Sequence, residues 1–386
     1  MQISKATKVT LLLLSMVTVM SNVAIITSLP QLKEHFPDVK EIELYSRLMI
    51  TLPSLSIAFL APFLGHLLQN IKRKYAVVAG LVLFTLFGSA GLYLKSMELL
   101  LVSRALFGVA IAILMIVTTA LVGDYFHEKS RHKYMGLQSA FTSVGGIIFL
   151  LGGGYLSDIY WRYPFGIYLI GLLFIPLVLL FLREPETVQK VEGVVEVESS
   201  LLGIYFLAFF LMLIFYILPT QMPFFIIENF GASGAKTGAI IAVAFAANAV
   251  GAMSFSKLKE HFSFKVIYLI GLLIIGVGFI LISLVEDVRF FFLTSPVMGF
   301  GGGVLMTNIM AWMLSKSHHS KRIKSSGYIS SALFLGQFAS PLVFHPLVSA
   351  VGIREFFSIV GLSLLLVVAI GLLLHKSSSH GIKLRK

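Results

Sequence analysis

The sequence predicts an all-α membrane protein with twelve transmembrane helices, arranged as two pseudo-symmetric halves of six helices each. Twelve stretches of the chain run for at least 19 residues without Asp, Glu, Lys or Arg, and about 20 apolar residues suffice for a helix to cross the hydrocarbon core. Charged residues make up only 12% of the chain, about half the share typical of soluble domains. Spans 1 to 12 are predicted at 9–32, 48–71, 75–94, 105–123, 134–157, 163–182, 199–227, 237–256, 266–285, 290–315, 325–353 and 356–374.

Helices are expected because every backbone N–H and C=O group in lipid must be satisfied within the chain. The first apolar run is 24 residues long and no small-x-small cleavage site follows it. We therefore expect it to be retained as span 1 instead of being removed as a signal peptide. The chain contains no cysteine, which excludes disulfides, thiolate metal sites and cysteine nucleophiles.

The net charge of +12 is unevenly distributed. With the N-terminus inside, 21 of the 30 Lys and Arg residues but only 8 of the 18 acidic residues fall on the inner face. This positive-inside pattern predicts that both termini are cytoplasmic. The basic charge is thus explained by topology, and no nucleic-acid partner is expected.

A charged segment divides the chain nearly in half. Residues 183–198 contain seven charged residues in sixteen and separate the first six spans from the last six. We expect an N-terminal half at 1–182, a cytoplasmic linker at 183–198 and a C-terminal half at 199–386. Two parallel six-helix repeats typically enclose a substrate site near the bilayer midplane.

Several short patterns recur at positions that match a known transporter family. The end of span 2 and the loop after it contain Gly65, Leu67, Arg73 and Lys74, and the start of span 4 carries Arg104-Ala-Leu-Phe-Gly108. These resemble the G-x-L-A-D-R-x-G-R-K/R and R-x-x-x-G motifs of the major facilitator superfamily, particularly its twelve-span drug:proton antiporter branch.

The resemblance also extends to the ends of two spans. Leu29-Pro30-Gln31-Leu32 closes span 1, and Trp161-Arg162-Tyr163-Pro164-Phe165 opens span 6, as is common in this family. Two motif positions differ, since Gln69 replaces an Asp and Lys72 replaces a Gly. In span 5, Phe149-Leu150 stands where antiporters carry Gly-Pro. The resemblance implies alternating access, no cofactor and a monomer.

Charged groups within or beside the spans are the candidates for proton coupling. Arg104 directly precedes the charge-free run of span 4 and is expected inside that helix, where a charge is costly and usually functional. The alternative is an arginine that is bonded to helix carbonyls or reaches the outer interface. No acid lies in the middle of a predicted span, which leaves Glu228, Asp124 and His345 as titratable candidates. Each of the three could instead have a structural role: Glu228 as a solvated helix end, Asp124 as a cap or motif partner, and His345 as a packed polar residue.

Polar residues near the middle of spans are candidates for substrate binding, and their alternative role is interhelical hydrogen bonding. The family resemblance places spans 1, 4, 7 and 10 around the central cavity, which favours four of them. The predicted set is Asn22, Arg104, Tyr216, Gln221, Asn248, Asn308 and Gln337, with Asn22, Arg104, Gln221 and Asn308 favoured.

The motifs of spans 2 and 4 are predicted to control gating through Gly65, Arg73, Lys74 and Gly108. Arg73 and Lys74 are expected to meet carbonyls or acids at the inner helix ends and so latch the outward-open state. Asp124 is one expected partner, and ordinary positive-inside charge is the alternative. Separately, prolines in span 7 at 219 and 223 should kink that helix.

Together these features predict a carrier in the bacterial inner membrane. The predicted activity is proton-coupled export of a small amphipathic or lipophilic compound, such as a drug, a metabolite or a siderophore-like molecule. A nutrient importer or uniporter is the alternative within transport, and a non-transporting receptor or assembly factor is the alternative outside it. No catalytic constellation or metal-ligand cluster is evident, so no enzyme activity and no metal are expected, and the partners are substrate, protons and membrane lipid.

Overall fold

In the computed structural model every regular element is a helix among the described residues, which are 4–68, 71–126, 128–184, 201–317 and 322–383. Eleven of its helical segments are long and apolar enough to cross a membrane. A further helix at the N-terminus packs against spans 4, 5 and 6 and completes the set of twelve. The spans are Lys5–Val23, Ile42–Leu67, Arg73–Gly88, Met97–Tyr125, Glu128–Ile159, Tyr163–Phe181, Leu202–Phe230, Gly234–His261, Phe264–Ser283, Phe291–Lys316, Arg322–Val351 and Ile353–Lys383.

Span 1 is shorter than predicted at its C-terminal end. The helix ends at Val23, and a 3-10 turn at Ile26–Ser28 and a short helix at Leu32–His35 follow it. Pro30 prevents a regular helix from continuing through the rest of the predicted run, because its ring clashes with the carbonyl four residues earlier and it donates no hydrogen bond. The charge-free run therefore overestimated the length of this helix.

Span 7 is broken at Tyr216, which ends one helix and begins the next. Pro219 cannot donate to the carbonyl of Phe215, four residues earlier, and its ring crowds that carbonyl. The predicted kink is confirmed, and it lies one turn before the proline that causes it.

Several spans begin with a serine cap. The side chains of Ser96, Ser233 and Ser263 accept hydrogen bonds from backbone N–H groups in the first turns of spans 4, 8 and 9. A cap satisfies one of the donors that a helix N-terminus leaves without an intrahelical partner. These caps set where the three helices begin.

The two halves meet through spans 5 and 8 and through spans 2 and 11. Span 11 lies six spans after span 5, and span 8 lies six spans after span 2, so the two pairs occupy equivalent positions. This relation is expected of two parallel repeats. Of the linker predicted at 183–198, only Arg183 and Glu184 belong to the described residues, so its bounds and those of the two halves stay predictions.

Candidate functional site

The end of the N-terminal half that is predicted to face the cytoplasm contains a cluster of charged residues. Arg73 Nε lies 3.6 Å from Asp124 Oδ2, and both side chains are buried. The Glu184 carboxylate accepts from the N–H groups of Arg73 at 2.6 Å and Lys74 at 3.2 Å, which satisfies two donors at the start of span 3. Lys74 Nζ donates to Leu179 O at 2.5 Å. Arg73 thus contacts the acid expected from the sequence, while its role in gating stays a prediction.

The two glycines predicted to take part in gating lie on two neighbouring helices: Gly65 on span 2 and Gly108 on span 4. Gly65 belongs to the last turn of span 2. A Cβ atom on Gly108 would lie 2.4 Å from Pro53 O and 2.7 Å from Ser56 Cβ. Gly108 therefore permits a close contact between spans 2 and 4, which small residues commonly provide in membrane helices.

Asp124→Asn is expected to destabilise the protein by about 3 kcal/mol, because it leaves the buried Arg73 guanidinium without its carboxylate partner. Thermal unfolding in detergent measures the effect. Glu98→Gln, at the exposed start of the same span, is the matched control and should change stability much less. Equal melting temperatures for the two variants would contradict an energetic role for the buried pair.

Arg104 is fully buried inside the N-terminal half. Its Nη2 donates to Phe87 O and Gly88 O, both at 2.7 Å, at the end of the span 3 helix. The guanidinium also lies over the rings of Phe107 and Tyr168, 4.7 Å and 5.4 Å from their centroids. These contacts lie on spans 3, 4 and 6, and they match the structural alternative stated for this residue. Its predicted roles in substrate binding and proton coupling stay predictions.

Arg104→Lys is expected to lower the unfolding free energy by about 1–3 kcal/mol, since the ammonium does not reproduce the planar contacts of the guanidinium. Thermal unfolding measures this loss. The pH dependence of transport gives a separate readout: an altered profile indicates proton coupling, whereas an unaltered profile with lower stability indicates packing alone. A variant as stable as the parent would contradict the assigned contacts.

A second charged cluster lies where spans 1, 7 and 11 end, at the face that the charge distribution predicts to be the outer one and that is called the outer face below. We call it the outer charge cluster, and it comprises Lys33, Glu41, Glu43, Arg47, Glu228 and His345. Lys33 Nζ lies 2.7 Å from Glu43 Oε1, and His345 Nε2 lies 3.7 Å from Glu41 Oε2. The hydrogen bond to Glu43 raises the pKa of Lys33. Two of the proton-coupling candidates, Glu228 and His345, thus lie in this cluster, and Asp124 and Arg104 do not.

Arg47 joins this cluster to the other half of the protein. Its Nε donates to Gln221 Oε1 at 2.9 Å, and its guanidinium lies 4.1 Å from the centroid of the Phe224 ring. The side chain is only 2% exposed, and Glu43 Oε2 lies 3.5 Å from its Nη1. A buried guanidinium thereby connects spans 2 and 7.

Further contacts between the halves run from the outer face towards the middle of the spans. Asp158 at the end of span 5 accepts from the N–H groups of Gly234 at 2.5 Å and Ala235 at 2.9 Å. Ser54 donates to Gln337 Oε1 at 2.8 Å. These contacts hold the two halves together on the outer side.

The predicted substrate-binding residues other than Arg104 lie in different parts of the structure. Gln221 and Gln337 contact the opposite half, as described above. Asn308 Nδ2 donates to Phe264 O at 3.1 Å, Asn248 packs against Gly302 and Tyr216 is buried at the break in span 7. These three lie within the C-terminal half. Asn22 lies in the span 1 helix, and its side chain is outside the described residues. Binding roles for the whole set stay predictions.

Sequence reasoning missed Arg47 and Asp158. Both were excluded because spans were delimited as charge-free runs, although the span 2 helix begins at Ile42 and the span 5 helix ends at Ile159. Apolar residues at Ile42 and Leu44 were a usable signal that the helix begins before Arg47.

Comparison with known proteins supports the fold. The sequence profile of the Major Facilitator Superfamily matches residues 11–204 and 204–385. The chain also superposes with a TM-score of 0.76 on a bacterial homolog of the human lysosomal transporter Spinster in an inward-facing, occupied conformation. That match has 16% identity and covers 96% of each chain, and it bears on the fold alone.

Three curated relatives share shorter segments. Multidrug resistance protein 1 of Bacillus subtilis is 32% identical over 43% of this chain and 44% of its own length. Multidrug efflux pump SdrM of Staphylococcus aureus is 29% identical over 48% and 41% of the two lengths. The Arabinose-proton symporter of Escherichia coli is 25% identical over 40% and 31%. The chain thus matches less than half the length of each relative.

The motifs, the twelve helices in two related halves and the profile match to both halves lead to one assignment. The protein is a multi-pass bacterial membrane protein. The chain belongs to the major facilitator superfamily, and it resembles the drug:proton antiporters of that superfamily.

Proposed function

We propose that this chain exports a small amphipathic or lipophilic compound in exchange for protons, by alternating access. The observation that carries the proposal is the way the two halves meet. Spans 5 and 8 and their repeat equivalents, spans 11 and 2, join the halves. The polar contacts described between them lie mainly from the outer face to the middle of the spans, so breaking these contacts would open the outer face of the interface.

The direction of transport rests on the relatives. The Bacillus subtilis and Staphylococcus aureus relatives are named as multidrug resistance and efflux proteins, and the span 2 and span 4 motifs match that branch. A drug, a metabolite or a siderophore-like molecule that has both apolar and polar parts suits a path between apolar helices with few polar anchors.

Proton coupling is proposed for the outer charge cluster. A coupling group must change its protonation between the two states, and its environment must change as the halves separate. Glu228 and His345 meet this condition because they lie beside partners on the other half: Glu41 contacts His345, and Lys33, Glu43 and Arg47 act electrostatically on Glu228. Arg104 and Asp124 lie within one half and are weaker candidates.

The cellular setting is proposed with the function. The positive-inside distribution of Lys and Arg supports a cytoplasmic location for both termini in the inner membrane. The transporter is proposed to act as a monomer that contacts lipid around both halves.

The test uses the purified chain in liposomes with a pH-sensitive dye inside and an imposed proton gradient. Lipophilic cations, sugars, amino acids and siderophore-like compounds are added in turn. Proton movement opposite to the flux of a compound is expected for an exporter of this kind. Compound flux that persists after the gradient is collapsed, without any proton movement, would refute antiport and favour a uniporter.

Import is the second candidate, and the similarity to the Arabinose-proton symporter favours it. The replacement of Gly-Pro by Phe149-Leu150 in span 5, a departure from the antiporter motif, points the same way. The same liposomes distinguish the two functions, because a symporter moves protons and compound in one direction. Proton movement in the direction of a sugar would establish import.

A further inference from the structure

Arg47 belongs to the outer charge cluster, but proton coupling does not explain its burial or its contact with Gln221. It lies five residues into span 2, about one and a half helical turns, and its side chain is 2% exposed. A guanidinium inside a membrane protein is costly to bury and usually serves a function. The side chain lies on the surface where the two halves meet, since Gln221 of span 7 accepts its Nε–H.

The charge of Arg47 is incompletely neutralised by the side chains around it. Glu43 Oε2 lies 3.5 Å from Arg47 Nη1, but Glu43 Oε1 lies only 2.7 Å from Lys33 Nζ. The carboxylate is therefore shared with a closer cation. Glu228 acts on Arg47 electrostatically, and it makes no ion pair within 4 Å among the described residues. The other contacts of Arg47 are the Glu43 backbone oxygen at 2.8 Å and the face of Phe224.

Gln221 places a second donor beside this cation. Arginine has no acceptor atom, so the Gln221 amide must turn its oxygen towards Arg47 and its nitrogen away. The side chain is fully buried, and its Nε2 has no hydrogen-bond partner among the side chains and backbone that the structure describes. A buried donor without a partner costs about 1–3 kcal/mol, which an incoming acceptor recovers.

We propose that Arg47 and Gln221 bind a carboxylate of the transported compound at the closed outer end of the path between the halves. The guanidinium supplies charge and the amide nitrogen supplies a free donor, and both suit a group with two oxygen acceptors. The ring of Phe224 lies beside the guanidinium and gives the apolar part of the ligand a surface. This inference rests on the proposed function and narrows its substrates to amphipathic compounds that carry an anionic group.

The experiment compares two fluorescent probes that differ in one group, dansylglycine and its neutral amide, dansylglycinamide. Binding to the purified full chain in detergent is followed by dansyl fluorescence at neutral pH. We expect the carboxylate to bind about ten- to hundredfold more tightly than the amide, as a charge-assisted hydrogen bond predicts. Arg47→Gln should abolish this ratio, and Gln221→Leu should reduce it. Equal affinities of the parent protein for the two probes would overturn the inference.

Two further variants keep the test decisive. Arg289→Gln removes an outer-face arginine that is 81% exposed and should leave the probe ratio unchanged. Gln221→Glu keeps Arg47 and places a competing carboxylate against it, so it should abolish the ratio even if Arg47→Gln does not fold. A retained ratio in Gln221→Glu would overturn the inference.

The same probes separate this inference from the proposed function. Proton-driven flux of compounds without any carboxylate preference would leave export standing and overturn the anionic subsite. A carboxylate preference in binding, without proton-driven flux of any compound, would support the subsite and refute the proposed antiport.

Discussion

Gly154→Ala is expected to separate the two halves at the outer face. A Cβ atom at this position in span 5 would lie 2.5 Å from Gly234 O and 3.0 Å from Ala235 Cα in span 8. Both obstacles are backbone atoms of the other half, so a side-chain rotation does not relieve the clash. The halves must move apart there, and the contact of Asp158 with the start of span 8 is then lost as well.

Labelling of a single engineered cysteine measures this opening, because the chain has no cysteine of its own. Ser28→Cys is a suitable reporter, since Ser28 is 1% exposed and its 3-10 turn contacts spans 7 and 8 of the other half. A membrane-impermeant maleimide added from outside should label it several-fold faster when Gly154 is alanine.

Gly152→Ala is the matched control for this prediction. Gly152 lies two residues away on the same helix, and a Cβ atom there meets nothing within 4 Å. Its labelling rate should equal that of the parent. An equally slow rate for Gly154→Ala would show that the glycine contact does not hold the outer face closed.

The number and order of the helices were predictable from the sequence, whereas their ends were not. Long apolar runs determine which segments cross the membrane because lipid requires internally satisfied helices. Helix ends depend on local chemistry that a count of charges ignores. The span 1 helix ends at Val23, nine residues before its predicted limit, and the span 2 helix begins six residues before its charge-free run and so includes Arg47.

The sequence predicted a contact of the candidate site only where opposite charges favour pairing. The buried pair of Arg73 and Asp124 followed from two opposite charges at neighbouring inner helix ends. The surroundings of Arg104 did not follow, since nothing in the sequence shows that its guanidinium meets the end of the span 3 helix. Contacts such as that of Arg47 with Gln221 join residues 174 positions apart, and only the packing of the halves reveals them.

Glycines show the same limit, because their clusters are visible in the sequence but their neighbours are not. Gly152 and Gly154 lie in one run, yet one faces open space and the other faces the backbone of the opposite half. Small residues permit close helix contact in membranes, and the structure shows which of them use it. The role of the span 10 glycines in helix packing can therefore be tested one residue at a time.

Gly303→Ala is expected to destabilise the C-terminal half strongly. A Cβ atom on Gly303 would lie 1.8 Å from Asn248 O, 2.7 Å from Asn248 C and 2.8 Å from Ala252 N, all backbone atoms of span 8. Relief requires spans 8 and 10 to move apart, which also disturbs the neighbouring contacts of Gly299 with Ala244 and of Gly251 with Phe300. Overpacking of a well-packed interface costs about 1–3 kcal/mol, and clashes with backbone belong at the upper end of that range.

Thermal unfolding and the yield of monodisperse protein in detergent measure the loss of stability. Gly327→Ala in span 11 is the control, because its Cβ atom would meet nothing within 4 Å and alanine is the better helix former. The control should match or exceed the parent in stability, and Gly303→Ala should unfold several degrees lower. If both variants unfold with the parent, spans 8 and 10 do not approach each other as closely as described, and the packing proposed for the C-terminal half is wrong. A lower unfolding temperature together with normal labelling of Ser28→Cys would instead show that packing within one half and closure between the halves are energetically separate.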